Sequence, residues 1–93
     1  MVERSVQVIN RNGLHARPAA EIVKAAAKFR SDITIVRDDL EVNGKSIMGV
    51  MMLAAEYGSH LLLRADGMDE QDAVSAIAKL IGAAWSAPRL PTT

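Results

Sequence analysis

Cysteine is absent from the 93 residues, which excludes a disulfide framework, a thiolate nucleophile and a zinc–thiolate site. Aromatic side chains are nearly absent: Phe29, Tyr57 and Trp85 are the whole set, too few for a platform on which nucleic-acid bases could stack. An excess of one charge is missing as well. Lys plus Arg and Asp plus Glu number 11 each, so the formal net charge is zero, and a chain built to coat nucleic acid would carry surplus cations. No GxxxxGK[ST] loop and no magnesium-type carboxylate cluster occurs, so nothing calls for a nucleotide, a metal or another cofactor. The opening MVERSVQVIN mixes charges with alternating apolar residues and reads as neither a signal peptide nor a membrane span. There is no internal repeat, low-complexity tract or linker. The expectation is one soluble, cytoplasmic domain, long enough to bury a modest core.

The apolar pattern changes period along the chain. From Val2 to Ile9, Val6 and Val8 share one face and Ser5 and Gln7 the other, as in a strand. Asn12-Gly13 breaks it. From Ala16 to about Phe29, Ala19, Ile22, Val23, Ala26, Ala27 and Phe29 recur at helical spacing, and Pro18 is tolerated in a first turn. SDITIVRDDLEV reads as a strand with Ile33 and Ile35 on one face, a turn at Asp38-Asp39, and a returning strand with Leu40 and Val42. Residues 47 to 53 lack a period of two and follow Ser46, a good N-cap, so a short helix is expected there, ended by Tyr57-Gly58-Ser59. HLLLRA makes a fourth strand and Asp66-Gly67 a turn. A last helix is capped by Asp69, with Met68 stapled against Ala73 and a buried stripe of Ala73, Ile77, Leu80, Ile81 and Ala84. The order βαββαβα fits a single sheet with helices packed on one side. The domain is expected over residues 1–85, with a frayed polar tail over 86–93.

The chemistry-bearing stretch is NRNGLHARPA. With the helix starting at Ala16, His15 stands at its N-cap and the unpaired amides of the first turn face the space beside the imidazole. The positive helix end disfavours an imidazolium, which leaves the ring a lone pair for attack, and it favours a dianion at the same spot. Arg17 adds a forked cation suited to phosphoryl oxygens. Pro18 has no amide hydrogen, so the exposed donors are those of Ala16 and Arg17. A nucleophile so placed can accept and hold a phosphoryl group. On spacing alone the plainer reading is favoured, in which His15 is an exposed first-turn residue and Arg17 a solvated charge. His60, the other histidine, opens a strand on a mostly polar face and reads as structural.

The second stretch is NGKSIMGVMMLAA. Ser46 is by default a structural cap worth about 1 kcal/mol; it could equally carry a phosphate without unfolding its helix, to be felt by a partner instead. Val50 and Leu53 read as core. The Met-rich run Met48, Met51 and Met52 reads either as core or as an adaptable docking surface, and Met48 and Met51 in particular stay open.

GLHARPA, from Gly13 to Ala19, resembles the active-site signature of the histidine-containing phosphocarrier family (HPr) of the bacterial phosphotransferase system. NGKSIMGVMML, from Asn43 to Leu53, resembles the same family's second signature, around a regulatory serine. The resemblance covers the chain to about Trp85. It implies an α+β open-faced β-sandwich: a four-stranded antiparallel sheet in order 1-4-2-3 with three helices on one face. It also implies a carrier rather than an enzyme. His15 would receive a phosphoryl group on Nδ1 from phosphorylated enzyme I and pass it to a IIA protein or domain. Arg17 and the Ala16 amide would stabilise that group. Ser46 would be the target of an HPr kinase/phosphorylase, and Ala20, Lys24, Ile47, Met48 and Met51 would form the docking patch. Ala16, where many sugar-transporting members have Thr or Ser, and the Met-rich patch also occur in the nitrogen-related branch, so the acceptor implied is either a sugar transporter or a regulator. The alternative within the same fold is a regulatory binding module switched at Ser46, a role taken by relatives that lack the histidine, which this chain keeps. A small nucleic-acid binder is disfavoured by the neutral charge and scarce aromatics. A monomer is expected, since no element shows a large unpartnered apolar face.

Overall fold

Alternating apolar residues produce four strands, β1 (Val2–Gln7), β2 (Asp32–Arg37), β3 (Leu40–Asn43) and β4 (His60–Asp66). Three helices lie between and after them: α1 (Ala16–Ala26), α2 (Ile47–Met52) and α3 (Glu70–Ile81). These come from a computed structural model that describes residues 1–82. The strands form one antiparallel sheet in the order β1-β4-β2-β3. Since β1 and β2 both run antiparallel to β4, they are parallel to each other with β4 between them. The expected fold class is therefore observed.

The inward residues Ile33 and Ile35 of β2, Val42 of β3, and Leu61, Leu63 and Ala65 of β4 are buried on one face. Ala19, Ile22 and Ala26 of α1 and Ala73, Val74, Ile77 and Ile81 of α3 cover them. The opposite face is more polar, though Val36 and Leu62 pair on it, and Arg64 lies there between Glu3, at 3.1 Å, and Glu41, at 3.6 Å. The six-residue α2 lies over β3 and α1 and buries only Val50. Gly49 weakens such a helix in isolation, yet here a Cβ would stand 3.2 Å from both the Asn43 carbonyl oxygen and Val42 Cβ. Its bare backbone lets α2 sit down on the strand. No helix among the described residues is long and apolar enough to cross a membrane.

Several expected boundaries move, each because a tertiary contact intervenes. β1 ends at Gln7, not Ile9, because Val8 bonds outside the ladder: its amide donates to Ser59 at 2.9 Å and its carbonyl accepts from Gly58 at 2.8 Å. α1 ends at Ala26, not Phe29, and Ala27 is exposed. There the amides of Lys28 and Phe29 fold back three residues to Ala25 and Ala26, and Lys45 Nζ holds the Phe29 carbonyl at 2.8 Å. α2 stops at Met52, well before Tyr57, because Ala54 takes a left-handed φ of 48°. Leu40 shares the inner face with Val42 but stays exposed at the end of β3, Leu80 is only half-buried, and Val74 joins the core. Ala84, Trp85 and the expected tail lie outside the described residues.

The start of α3 departs furthest from expectation. Met68 is exposed and staples nothing, and the Asp69 side chain, though at the N-cap position, makes no cap hydrogen bond to its own helix. Its carboxylate instead accepts from Ser31 Oγ at 2.6 Å and from the amides of Ser31 and Arg30 at 2.9 Å each. This ties the end of the α1–β2 connection to α3. Glu70 reaches back to the Gly67 amide at 3.0 Å, which draws its carboxyl below the ordinary range. The Ser31 hydroxyl, followed by the backbone amides, draws the Asp69 carboxyl from 3.8 down to about 2.

A carboxyl that binds its proton less tightly when folded stabilises the fold above its unfolded value, and that contribution is lost as the pH falls through the folded value. Urea midpoints measured across the acid range are expected to fall from pH 3.8 toward about 2. Asp69→Asn should lower the midpoint at neutral pH and flatten that decline. A variant whose midpoint drops as steeply as the parent's would show that Asp69 is not the group responsible.

Candidate functional site

Between Val8 and His15 the chain leaves the sheet and must turn into α1. Asn10 is fully buried, and its Nδ2 donates to the Gly13 carbonyl at 2.6 Å while its own carbonyl accepts the Gly13 amide at 2.9 Å. Gly13 has φ +70°, and a Cβ there would stand 2.3 Å from the Ala55 carbonyl oxygen. That same oxygen accepts the Leu14 amide at 2.9 Å, and Leu14 is buried in the core. The turn is thus pressed against the loop that follows α2. That loop is braced in turn: Arg37 Nη1 donates to the carbonyls of Leu53 and Ala54 at 2.9 Å each, and Glu56 and Ser59 close a turn on each other.

His15 then occupies the N-cap of α1 with extended backbone (φ −78°, ψ −171°), as expected, but its side chain makes no cap hydrogen bond. The ring is half-buried, and its Nε2 is covered without a hydrogen-bond partner. The first intrahelical bond is from the Ala19 amide to the His15 carbonyl, at 3.0 Å. Helix geometry leaves the amides of Ala16 and Arg17 directed outward, and Pro18, which has none, is buried. A helix start carries roughly half a positive charge. Arg17 is exposed and takes part in no ion pair among the described residues. Unpaired donors, the helix dipole and an uncommitted guanidinium together suit a phosphate-sized dianion.

Ser46 caps α2 with its side chain: Oγ accepts the Gly49 amide at 3.1 Å. Beyond it, Ile47, Met48, Met51 and Met52 join Ala16 around an apolar depression of about 460 Å³. The two stretches singled out in the sequence therefore meet: the residue after His15 and the residues after Ser46 line one hollow. Val50 and Leu53 are core, while Met48 and Met51 are exposed. Ala20 and Lys24 are exposed further along α1 and do not line the hollow. Met52 does, although the docking patch expected from the resemblance leaves it out. The helix is too short for its faces to be told apart by periodicity. Asn10, Leu14, Ala55 and Arg37 were missed as well; only the positive-φ demand at Asn12-Gly13 left a trace. His60 opens β4 opposite Gln7 and is exposed, and it does not line the hollow.

Comparison with known proteins points one way. A family model described as "PTS HPr component phosphorylation site" matches residues 2–83. The phosphocarrier protein HPr of Treponema pallidum is 58% identical over 80 residues, covering 86% of this chain and 91% of that protein. The HPr-like protein Crh of Halalkalibacterium halodurans is 48% identical over 81 residues, covering 87% of this chain and 96% of its own length. Among solved structures, an HPr from Thermoanaerobacter tengcongensis superposes with a TM-score of 0.84 at 46% identity, covering 87% of this chain and 91% of that one.

The geometry makes Gly13 the least replaceable residue of the turn. Gly13→Ala is expected to cost about 2 kcal/mol or more in urea unfolding, because left-handed backbone alone costs a non-glycine residue about 1–3 kcal/mol and the Ala55 carbonyl blocks the added methyl. A loss within a few tenths of a kcal/mol would mean that the turn is not held as described.

Proposed function

Because the chain belongs to the HPr family of phosphocarrier proteins, carriers rather than enzymes, we propose that His15 takes a phosphoryl group from phosphorylated enzyme I and hands it to IIA proteins or domains. The observation that supports this most is the state of the ring. With Nε2 covered and unpartnered, Nδ1 is the nitrogen left to meet an incoming group. In the transfer, the Nδ1 lone pair attacks the donor's phosphorus, a new N–P bond forms, and the N–P bond to the donor histidine breaks. Donor and acceptor are both phosphohistidines, so the step is nearly isoenergetic and reversible. Its barrier is lowered by positioning and by charge at the helix start. The amides of Ala16 and Arg17 and the Arg17 guanidinium receive the phosphoryl oxygens. Ala20, Lys24, Ile47, Met48 and Met51 form the partner-facing surface, and a small, partly apolar face suits complexes that must separate quickly. The working unit is a cytoplasmic monomer, with residues 1–85 as its carrier domain.

Ser46 is the regulatory position in this reading. A kinase acting on ATP would replace a neutral cap by a dianion that α2 can tolerate at its N-terminus, and the added charge would stand beside the apolar hollow where a partner docks. A second reading, a regulatory module switched at Ser46 alone, has weaker support in the similarity to the HPr-like protein Crh. The histidine retained at the N-cap of α1 weighs against it. In the carrier reading the downstream acceptor is either a sugar-transport component or a nitrogen-related regulator.

Incubation with phosphoenolpyruvate and enzyme I is expected to give acid-labile labelling of the intact chain and none of His15→Ala. Equal labelling of the two would end the carrier reading. Arg17→Ala should still label, about tenfold or more slowly. Ser46→Asp should dock enzyme I measurably less well than the parent by titration; unchanged docking would remove Ser46 from the regulatory scheme.

A further inference from the structure

Three of the five methionines fall on the six-residue α2 and surround one hollow with Ala16 and Ile47. Met48 is 71% exposed, Met52 63% and Met51 43%. The chain has no cysteine, so its thioethers are its only soft sulfur nucleophiles. Oxidation of methionine follows exposure, and the product exchanges a flexible apolar side chain for a polar one. Here that exchange would be concentrated where the surface is otherwise apolar, one residue from His15. We propose that Met48, Met51 and Met52 form a peroxide-sensitive modification site, and that their conversion to sulfoxides switches off partner docking; this rests on the carrier reading above.

In the step itself, a thioether lone pair attacks one oxygen of hydrogen peroxide. The S–O bond forms as the O–O bond breaks, the leaving hydroxide takes up the proton of the transferred oxygen, and water results. Sulfur loses two electrons and the peroxide gains them. The fold is expected to survive, because α2 anchors itself through Val50 and the three sulfur atoms belong to side chains turned outward. Docking does not survive equally well: each sulfoxide brings a strong dipole that must keep its water or find a hydrogen bond inside an apolar contact.

The arrangement of trypsin sites makes the test direct. Cleavage after Lys45 and Arg64 places the three residues on one peptide, apart from Met68 and Met1 on two others. The full chain is treated with graded hydrogen peroxide, mapped by mass spectrometry, and then labelled from phosphoenolpyruvate through limiting enzyme I. Once the 46–64 peptide is oxidised, labelling of His15 is expected to slow about tenfold, equivalent to about 1.4 kcal/mol, with the melting temperature unchanged. Methionine sulfoxide reductase should restore the rate. A Met48→Leu, Met51→Leu, Met52→Leu triple variant, compared with its own untreated rate, should not slow further on peroxide treatment, whereas Met68→Leu should slow as the parent does. The inference is overturned if the oxidised chain labels at the untreated rate, or if peroxide slows the triple variant equally. A chain that takes no label even before oxidation overturns the carrier reading, and this inference with it.

Discussion

The carbonyl oxygen of Ala55 accepts the Leu14 amide at 2.9 Å and stands where it would meet any side chain on Gly13, and the direction in which the chain enters α1 follows from that pair of contacts. The N-cap position of His15 is a consequence of this turn and not of the histidine, whose ring makes no capping bond. Ala55 is itself held from a distance. Arg37, at the end of β2, grips the carbonyls of Leu53 and Ala54 just past α2, and the left-handed Ala54 swings the following residues toward the turn. A hydrogen bond from the end of an inner strand thus bears on the orientation of an imidazole that it does not touch.

The same path explains why the two sequence motifs occupy one surface. α2 lies on β3 through Gly49, its end is gripped by Arg37, and the loop beyond it supports the turn before His15. Each helix start is then fixed relative to the other, with Ala16 and the residues after Ser46 around a shared hollow. A partner that covers the hollow senses both helix starts at once. Chemistry at either one, whether a phosphoryl group at the first or a charge at the second, is presented to the same visitor.

Much of this was legible in the residues, and what was not has a common cause. The period of two in Ile33 and Ile35, and in the HLLLRA run, located strands because one face of each is buried. The start of α1 was legible from Pro18 and the glycine turn, and that of α2 from Ser46, whose hydroxyl does accept the expected amide. The failures involve residues whose partners lie far away in the chain. Asp69 reads as a cap by every local rule, but its carboxylate goes to Ser31, 38 residues earlier, where three donors compete successfully with one cap bond. Phe29 fits the helical period, yet the Lys45 ammonium holds its carbonyl outside the helix. The contribution of Ala55 is made by a main-chain oxygen, to which sequence patterning is blind.

The position of β4 carries a further consequence. It is the last of the described strands but lies inside the sheet, between β1 and the β2–β3 hairpin. Until it arrives, β1 has no neighbour and the hairpin has only itself, and isolated two-stranded elements are marginal in water. Assembly must therefore wait for contacts of long sequence separation, which slows folding relative to a chain of local pairings. During synthesis, the residues of the phosphoryl-accepting turn leave the ribosome early, yet the bonds from Val8 to Gly58 and Ser59 cannot close until β4 is about to form. The nascent chain thus exposes its histidine long before it possesses the site.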